Sequence, residues 1–471
     1  MPLVNTVLRF FLEISLAYRV FPEIFFSDPL DKRTSVLYTI KRTFVREAEM
    51  TEKIILHCDL NNFFASVECA RRPELRGVPI AVCGSVEERH GICLAKNEAA
   101  KKLGIRTGDT VSAVLRKCPH AVITPPRYGE YDRFSRAVTA IYARFTDQIE
   151  PFGCDESWLD VSASTRLFGD GQAIAEQIRE TVKRETGLTI SVGVSFNKIF
   201  AKLGSDMKKP DAVTCISPQT FRTTVWPLPV RELLGVGPAV MRTLDKRCIR
   251  TIGDLANTPL SSLRLWMGKG GETLWHYANG TDTTPVIPQA AAAPIQSVSH
   301  GMTPLRDIRT DEEMAAFILE MAQEVGQRLR RYGMTASGVR VSVRNTQLQT
   351  SDYQMSLPQP TVHTETIARE ATRLFRENYR WAFPVRSVSV GVFKLSDADA
   401  PTQLDLFGES EEELQADRLD GVMDAVRTRY GAHSITSASY LTLTETNDAI
   451  LDKSRKWNPA YSLGTRERGR K

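Results

Sequence analysis

Three acidic residues carry the chemistry that this sequence could perform. Asp59 follows a short apolar run, Lys53–Cys58 (KIILHC), and Asp155 and Glu156 sit side by side between two apolar segments. The run suits a buried strand, which would end at Asp59 and offer its carboxylate at a sheet edge. Taken alone, Asp59 reads more readily as the N-cap of the helix that follows, because Asp is a favoured cap. In a straight strand, neighbouring side chains point to opposite faces. In a turn between two strands, Asp155 and Glu156 can both approach one point. Alone, that pair also reads as a solvated acidic turn. Together the three acids form a hard-oxygen set of the kind that holds magnesium with the help of substrate phosphates. Two such ions about 4 Å apart clamp the attacking and leaving oxygens of a phosphoryl transfer. No Walker-type phosphate loop is present, which disfavours an ordinary P-loop ATPase.

Strands and helices alternate around these acids. Residues 61–71 read as a helix that stops before Pro73, and 78–83 and 91–95 as strands. Residues 97–103 form a short helix closed by Gly104, and 131–145 a helix with an apolar stripe. Strands at 148–152 and 157–161 flank the turn at 153–156, and a helix over 171–185 leads into a β-branched strand at 188–194. Around 217–285 the pattern becomes short helices broken by Gly and Pro, and 286–296 (VIPQAAAAPIQ) reads as a linker. From 297 to 395 the order is strand, helix (311–332), strand (338–345), strand (352–357), helix (363–379), strand (386–394). That is a β-α-β-β-α-β unit of ferredoxin-like type. Beyond 396 the chain is polar, with one further helix over 412–430. The fold class is α+β and multidomain.

The bulk numbers fit this division. At 471 residues the chain exceeds one ordinary core, and 42% hydrophobic with 25% charged residues is a globular composition. The net charge of +5 is mild, but Arg is dense around 328–344 and 369–386, while 409–413 is acidic. Eight Cys lie at 58, 69, 83, 93, 118, 154, 215 and 248, with no CxxC pair, which argues against structural zinc. In hydrophobic segments they read as reduced core thiols of a cytosolic protein. Residues 4–26 are apolar and aromatic but interrupted by Arg9, Glu13, Arg19 and Glu23, too charged for a membrane span and unlike a signal peptide. The first fifty residues are therefore expected outside the catalytic fold, as an extension or through an upstream start, since Met50 directly precedes the first strand. An amphipathic membrane-surface helix is the alternative.

Three ordered segments, CDLNNFFASVE (58–68), CDESWLDVS (154–162) and GVSFNKIFAKLGSDMKKP (193–210), make the chain recognisable. It resembles the Y-family DNA polymerases, the bacterial DinB/UmuC class, over about residues 51–395. The resemblance implies a right-hand fold: palm at 51–60 and 127–216, small fingers at 61–126, helix-hairpin-helix thumb at 217–285, linker at 286–296 and ferredoxin-like little finger at 297–395. It implies low-fidelity, template-directed translesion synthesis in the DNA damage (SOS) response. Asp59, Asp155 and Glu156 match the carboxylates that hold two Mg2+ ions, and the carbonyl of Leu60 adds a ligand. Phe64 matches the steric gate that a ribose 2′-hydroxyl would strike. Adjacent helical positions cannot both face one core, so one of Phe63 and Phe64 is free to face a site. Backbone N–H groups of Asn62, Phe63 and Phe64 at a helix start suit a triphosphate, and Lys101 and Lys209 match its cationic partners. One departure stands out. Glu98 replaces a frequent Tyr, and Lys101 stands where Arg is frequent, without that residue's bidentate fork.

Further segments fit a DNA-bound enzyme. Gly235 and Gly237, in Leu234–Pro238, resemble a helix-hairpin-helix turn that brings backbone N–H groups to a phosphate, and 251–255 continues the pattern. GVRVSVRN (338–345) alternates Val with Arg340, Ser342 and Arg344, and Arg386 begins another such strand, so one sheet face is buried and the other basic. Gln403, Leu404, Asp405, Leu406 and Phe407 resemble the peptide by which bacterial polymerases dock on the sliding clamp, in a C-terminal tail spanning 396–471. The expected partners are primer-template DNA, deoxynucleoside triphosphates and the clamp, with a monomer in the cytoplasm and no membrane. The competing reading is a catalytically inactive Y-family-like adaptor, which would lack the metal carboxylates. A palm-type nucleotidyl cyclase would need neither hairpin, basic sheet nor clamp peptide.

Overall fold

In the computed structural model of the protein, which describes residues 53–87, 89, 91–288, 291, 294–400, 411–431 and 434–439, the apolar run after Lys53 becomes strand β1 (Ile55–Leu60). The strand runs through Asp59 to Leu60 instead of ending at the acid, because Asp59 is paired on both sides, with Glu156 and with Ser191. A five-stranded sheet forms around it from β5 (Ile149–Phe152), β6 (Glu156–Asp160), β7 (Ile190–Ser195) and β8 (Val213–Ile216), in the order β5-β6-β1-β7-β8. Only β7 and β8 pair in parallel.

The two faces of β1 have different companions. Leu56, Cys58 and Leu60 enter a core with Val67 of α1 (Phe63–Arg71), Tyr131 and Val138 of α4 (Tyr128–Tyr142), and Ile174 and Ile178 of α5 (Gly171–Thr186). The opposite face carries Ile55, His57 and Asp59, and lies under α6 (Lys198–Met207). Between α1 and α4 the chain builds a smaller sheet, β2 (Ile80–Cys83), β3 (Cys93–Lys96) and β4 (Val122–Thr124), ordered β3-β2-β4. Its own core includes Ala100 of α2 (Glu98–Lys102) and Val114 of α3 (Val111–Lys117).

A third core gathers α7 (Pro238–Asp245), α8 (Ile252–Asn257) and α9 (Leu260–Ala278) around Phe200, Leu244, Leu255 and Leu274. Short helices broken by Gly were expected here, and the span of α9 is itself two helical pieces divided at Gly268, whose φ of 60° and ψ of −139° are not helical. The stretch read as a linker is pinned where it begins. Val286 is buried with Ile55, Trp158 and Ala201, and the Ile287 N–H donates to Glu150 at 2.7 Å.

The fourth core belongs to β9 (Ser297–Met302), α10 (Asp311–Tyr332), β10 (Met334–Asn345), β11 (Thr350–Thr361), α11 (Thr364–Asn378) and β12 (Val385–Asp397). The β-α-β-β-α-β order is the expected one, and the strands lie β11-β10-β12-β9, so that β12 returns between the two strands joined by α10. Val339, Val341 and Val343 are buried, and Arg340 and Arg344 face out, as the period-two pattern requires.

The helix expected beyond 396 is α12 (Glu411–Tyr430). It docks through polar groups. Helix α11 receives no side-chain cap from its own N-cap residue, His363. Asp420 of α12 supplies one, accepting from the Thr364 N–H at 2.9 Å. The Arg330 guanidinium of α10 joins the same cluster, at 2.8 Å from Asp420 and 2.6 Å from Asp424. Residues 403–407, the clamp-like peptide, lie outside the described residues.

All eight thiols are free. Cys58, Cys83, Cys93 and Cys118 are core residues, but Cys215 and Cys248 are exposed, against the expectation for the whole set. Cys215 lies on the edge strand β8, and Cys248 follows α7 in a left-handed turn with φ of 57°.

Asp420→Ala removes both the cap of α11 and a buried partner of Arg330. It is expected to cost about 1–3 kcal/mol, read as a lower thermal midpoint by calorimetry. An unchanged midpoint would show that α12 does not dock through this acid.

Candidate active site

The three acids meet at one end of the central sheet. Asp59 and Glu156 are direct cross-strand partners on β1 and β6. Asp155 sits in the turn before β6, and its carbonyl accepts from the Leu60 N–H at 2.9 Å. The turn thus locks onto the end of β1, and Asp155 and Glu156 share a neighbourhood despite being sequence neighbours. Asp59 does not cap the following helix. That position belongs to Asn62, in a left-handed conformation with φ of 50°, and no side chain caps α1 from it.

Helix α6 lies over these acids because two glycines let it approach. A Cβ on Gly193 of β7 would fall 1.9 Å from the Ala201 carbonyl oxygen and 2.5 Å from the Ser205 nitrogen, both backbone atoms of α6. Gly204 faces it from the helix, where an added Cβ would come within 3.2 Å of the Gly193 Cα. The helix is started by Asn197, whose side chain accepts from the Phe200 N–H at 2.8 Å. This contact carries Lys202, Ser205 and Asp206 to the carboxylates.

The electrostatics are those of crowded acids held by ammonium groups. Lys202 Nζ lies 3.2 Å from Asp59, 2.8 Å from Glu156 and 3.2 Å from Asp206. Lys209 Nζ lies 2.8 Å from both Asp59 and Asp206. Burial, then the charges of Glu156 and Asp59, push the Asp155 carboxyl up to about 6. Burial also opposes ionisation of Glu156, but contacts with His57 and Lys202 outweigh it and hold this acid at about 2. Burial works against the Lys202 charge too, and is overcome by Glu156, Asp206 and Asp59, so its pKa is raised.

The donor set fits a hard divalent cation. Three carboxylate side chains and the Leu60 region sit together, and a cation beside Asp155 would relieve the repulsion that raises it. Among the described residues no three His, Cys, Asp or Glu side chains already form a metal cage; the lysines lie between the acids instead.

Phe63 is buried, while Phe64 is partly exposed and stacks on Tyr131 with ring centroids 4.1 Å apart and planes 10° from parallel. Tyr128 meets Phe64 edge-on at 6.1 Å, and the Tyr131 hydroxyl donates to the buried Glu68 at 3.0 Å. The two adjacent rings differ in burial, Phe63 inside the core and Phe64 partly exposed while packed against the same core. Lys101 is exposed and pairs with Glu98 at 3.5 Å, and Glu98 accepts from the Asn62 amide at 2.9 Å. The departure at Glu98 thus has a local partner: it tethers the start of α1 to α2.

Several residues at the site escaped the reading of motifs. Asn61 is buried, donates to Ser191 Oγ at 2.9 Å and accepts from the Asp211 N–H at 2.9 Å, tying the Lys209 loop to β1. His57 is fully buried beside Glu156. Lys202, Ser205 and Asp206 lie in the third quoted segment at spacings that place them on one turn of helix, the only signal available for them.

Away from the acids, Gly235 adopts φ of 91°, and Gly237 is the N-cap of α7 with Pro238 in its first turn. A side chain is disfavoured at such a φ. Arg340 is paired with Asp352 at 2.9 Å, the Arg344 side chain donates to the Leu348 carbonyl at 3.3 Å, and Arg386 is half-buried. The outer face of this sheet is thus less basic than its Arg content implied, because β11 brings an acid against Arg340.

The comparisons with known proteins decide the family. Residues 58–206 match the impB/mucB/samB family and residues 295–406 match the C-terminal domain of that family. The DNA polymerase IV of Acetivibrio thermocellus is 46% identical over 384 residues, covering 82% of this chain and 96% of that protein. The chain belongs to the Y-family DNA polymerases, in the bacterial DinB-type class. The polymerase is also similar to DNA polymerase IV of Pelotomaculum thermopropionicum, 37% identical over 82% of this chain and 95% of the relative. DNA polymerase IV 2 of Bacillus subtilis is 34% identical over 83% and 96% respectively. A solved chimeric Y-family DNA polymerase shares the fold, with a TM-score of 0.66 over 73% of this chain and 99% of its own, at 22% identity. Membership implies a divalent metal dependence and a translesion role. Among the described residues no helix is long and apolar enough to cross a membrane.

Proposed function

We propose that this polymerase extends a DNA primer by a two-metal phosphoryl transfer at Asp59, Asp155 and Glu156. The observation that carries the reading is the direct pairing of Asp59 with Glu156 across β1 and β6, with Asp155 held beside them by the Leu60 N–H. Two Mg2+ ions, when bound, would lower the pKa of the primer 3′-hydroxyl and stabilise the pyrophosphate leaving group. Asp59 and Asp155 would hold both ions, Glu156 chiefly the one at the primer end, and the Leu60 carbonyl would add an oxygen. The N–H groups of Asn62, Phe63 and Phe64 stand at the first positions of α1, where no intrahelical acceptor exists, and would receive the triphosphate. Lys209, now on Asp59, and Lys101, now on Glu98, are the cations within the same site that could turn to the phosphates.

Phe64 excludes ribonucleotides in this reading, since Tyr131 backs its ring and leaves it little room to yield to a 2′-hydroxyl. The domain division follows: palm at 51–60 and 127–216, fingers at 61–126, thumb at 217–285 and little finger at 297–395. Gly235 and Gly237, with Arg340, Arg344 and Arg386, would contact the primer-template backbone. Residues 403–407 would dock on the sliding clamp of a cytoplasmic, monomeric enzyme, raising the effective concentration of the site at a primer end. The adaptor reading is disfavoured by the presence of all three carboxylates.

Asp155→Ala is expected to lower single-nucleotide insertion with Mg2+ roughly 10²–10³-fold or more while DNA affinity persists. Insertion at the wild-type rate would remove the active-site assignment. Phe64→Ala is expected to weaken discrimination against ribonucleotides roughly 10–200-fold, and intact discrimination in the same assay would refute the gate. Deleting 403–407 should leave distributive synthesis unchanged and abolish stimulation by the clamp. Full stimulation of the deleted chain would place the dock elsewhere.

A further inference from the structure

The geometry points to His57 as a positioning residue for the Glu156 carboxylate. This rests on the proposed role of Glu156 as a metal-holding acid. His57 and Asp59 are two apart on β1 and therefore project from the same face, toward α6. The His57 ring has no exposure to solvent. Its Nδ1 is 2.8 Å from Ser205 Oγ on α6, and its plane meets the Trp158 ring edge-on with centroids 5.2 Å apart. These two contacts fix the ring in rotation and in tilt. Its remaining nitrogen, Nε2, is aimed at Glu156 Oε2 and lies 3.1 Å away.

A buried histidine with both nitrogens satisfied elsewhere would be ordinary core. This one is not. Nε2 is buried without a formed hydrogen bond although Glu156 Oε2 is within reach, and Lys202 Nζ meets that same oxygen at 2.8 Å. The imidazole is held by Ser205 and Trp158, and the carboxylate by Lys202. Ser205 Oγ also lies 2.7 Å from the Lys202 carbonyl; with its hydrogen turned to Nδ1 instead, the imidazole proton sits on Nε2, and a small rotation of the Glu156 carboxylate completes the bond. A histidine locked behind a ligating carboxylate narrows the set of orientations that the acid explores, so the site is set before the cation arrives. The Gly193–Gly204 contact is what makes this reachable, since it brings Ser205 down to the ring.

The test compares His57→Phe, which keeps a ring against Trp158 but no nitrogen, with His57→Gln, which retains an N–H at similar reach. Each is assayed by single-nucleotide insertion on primer-template DNA and by Mn2+ binding to the polymerase–DNA complex, counted by electron paramagnetic resonance. His57→Phe is expected to lower kcat and weaken Mn2+ binding roughly 10–100-fold, with the nucleotide KM unchanged, and His57→Gln to restore most of both. Ser205→Ala, which frees Nδ1, should show the same signature more weakly, and it carries the test if His57→Phe does not fold. Wild-type kcat and Mn2+ affinity in His57→Phe, or in Ser205→Ala where that variant carries the test, would overturn the proposal. Equal damage in His57→Phe and His57→Gln with a lowered melting temperature would overturn it as well, leaving only packing. Glu156→Gln separates the two readings. If that variant is inactive while His57→Phe is normal, the metal role of Glu156 stands and the positioning role falls; if Glu156→Gln is fully active, the metal role itself fails.

Discussion

The site depends on how closely α6 can lie on the sheet. Backbone meets backbone at Gly193 and Gly204, and a single methyl group at Gly193 would overlap a carbonyl oxygen of the helix. Everything that the helix contributes follows from that approach. Lys202 reaches two strands at once, Ser205 reaches His57, and Asp206 shares both lysines with Asp59. Raise the helix by the thickness of one side chain and the carboxylates remain on the sheet, but their countercharges and supports do not.

That approach also resolves an electrostatic problem. Three acids on adjoining turns and strands repel one another, and partial burial makes the repulsion costly. The cluster survives because two lysines from one short stretch thread between the acids. The same arrangement leaves Asp155 the least compensated of the three, its carboxyl pushed up to about 6 by burial and by its neighbours. In the proposed reading, a divalent ion would enter where charge compensation is poorest.

Much of this was legible in the residues. The alternation of Val and Arg over 338–345 predicts which side chains are buried, because a strand has a strict period of two. The adjacency of Phe63 and Phe64 predicts that they are not equally buried, and only Phe63 is fully enclosed. What the pattern missed depends on contacts between distant segments. The pairing of Asp59 on both sides extends β1 past the acid that was expected to end it, and only the register of β6 and β7 reveals that. Asn61, His57 and Tyr131 act through partners that are 60 to 150 residues away in some cases, such as Glu68 for Tyr131 and Asp211 for Asn61, and nothing local marks them. Exposure of Cys215 follows from β8 being an edge, and the pairing of Arg340 from the acid that β11 places diagonally across from it, both properties of the assembled sheets.

The cap on α11 has a consequence for modular exchange. The family's C-terminal domain match ends at residue 406, yet the acid that completes α11 is Asp420, and the guanidinium it shares belongs to α10. The unit that behaves as one piece is therefore larger than the unit that recurs in sequence. A graft of the 295–406 region onto a relative would arrive with an open helix end and a cation without its acids. Exchange between relatives would preserve the piece only where the segment through Asp424 travels with it.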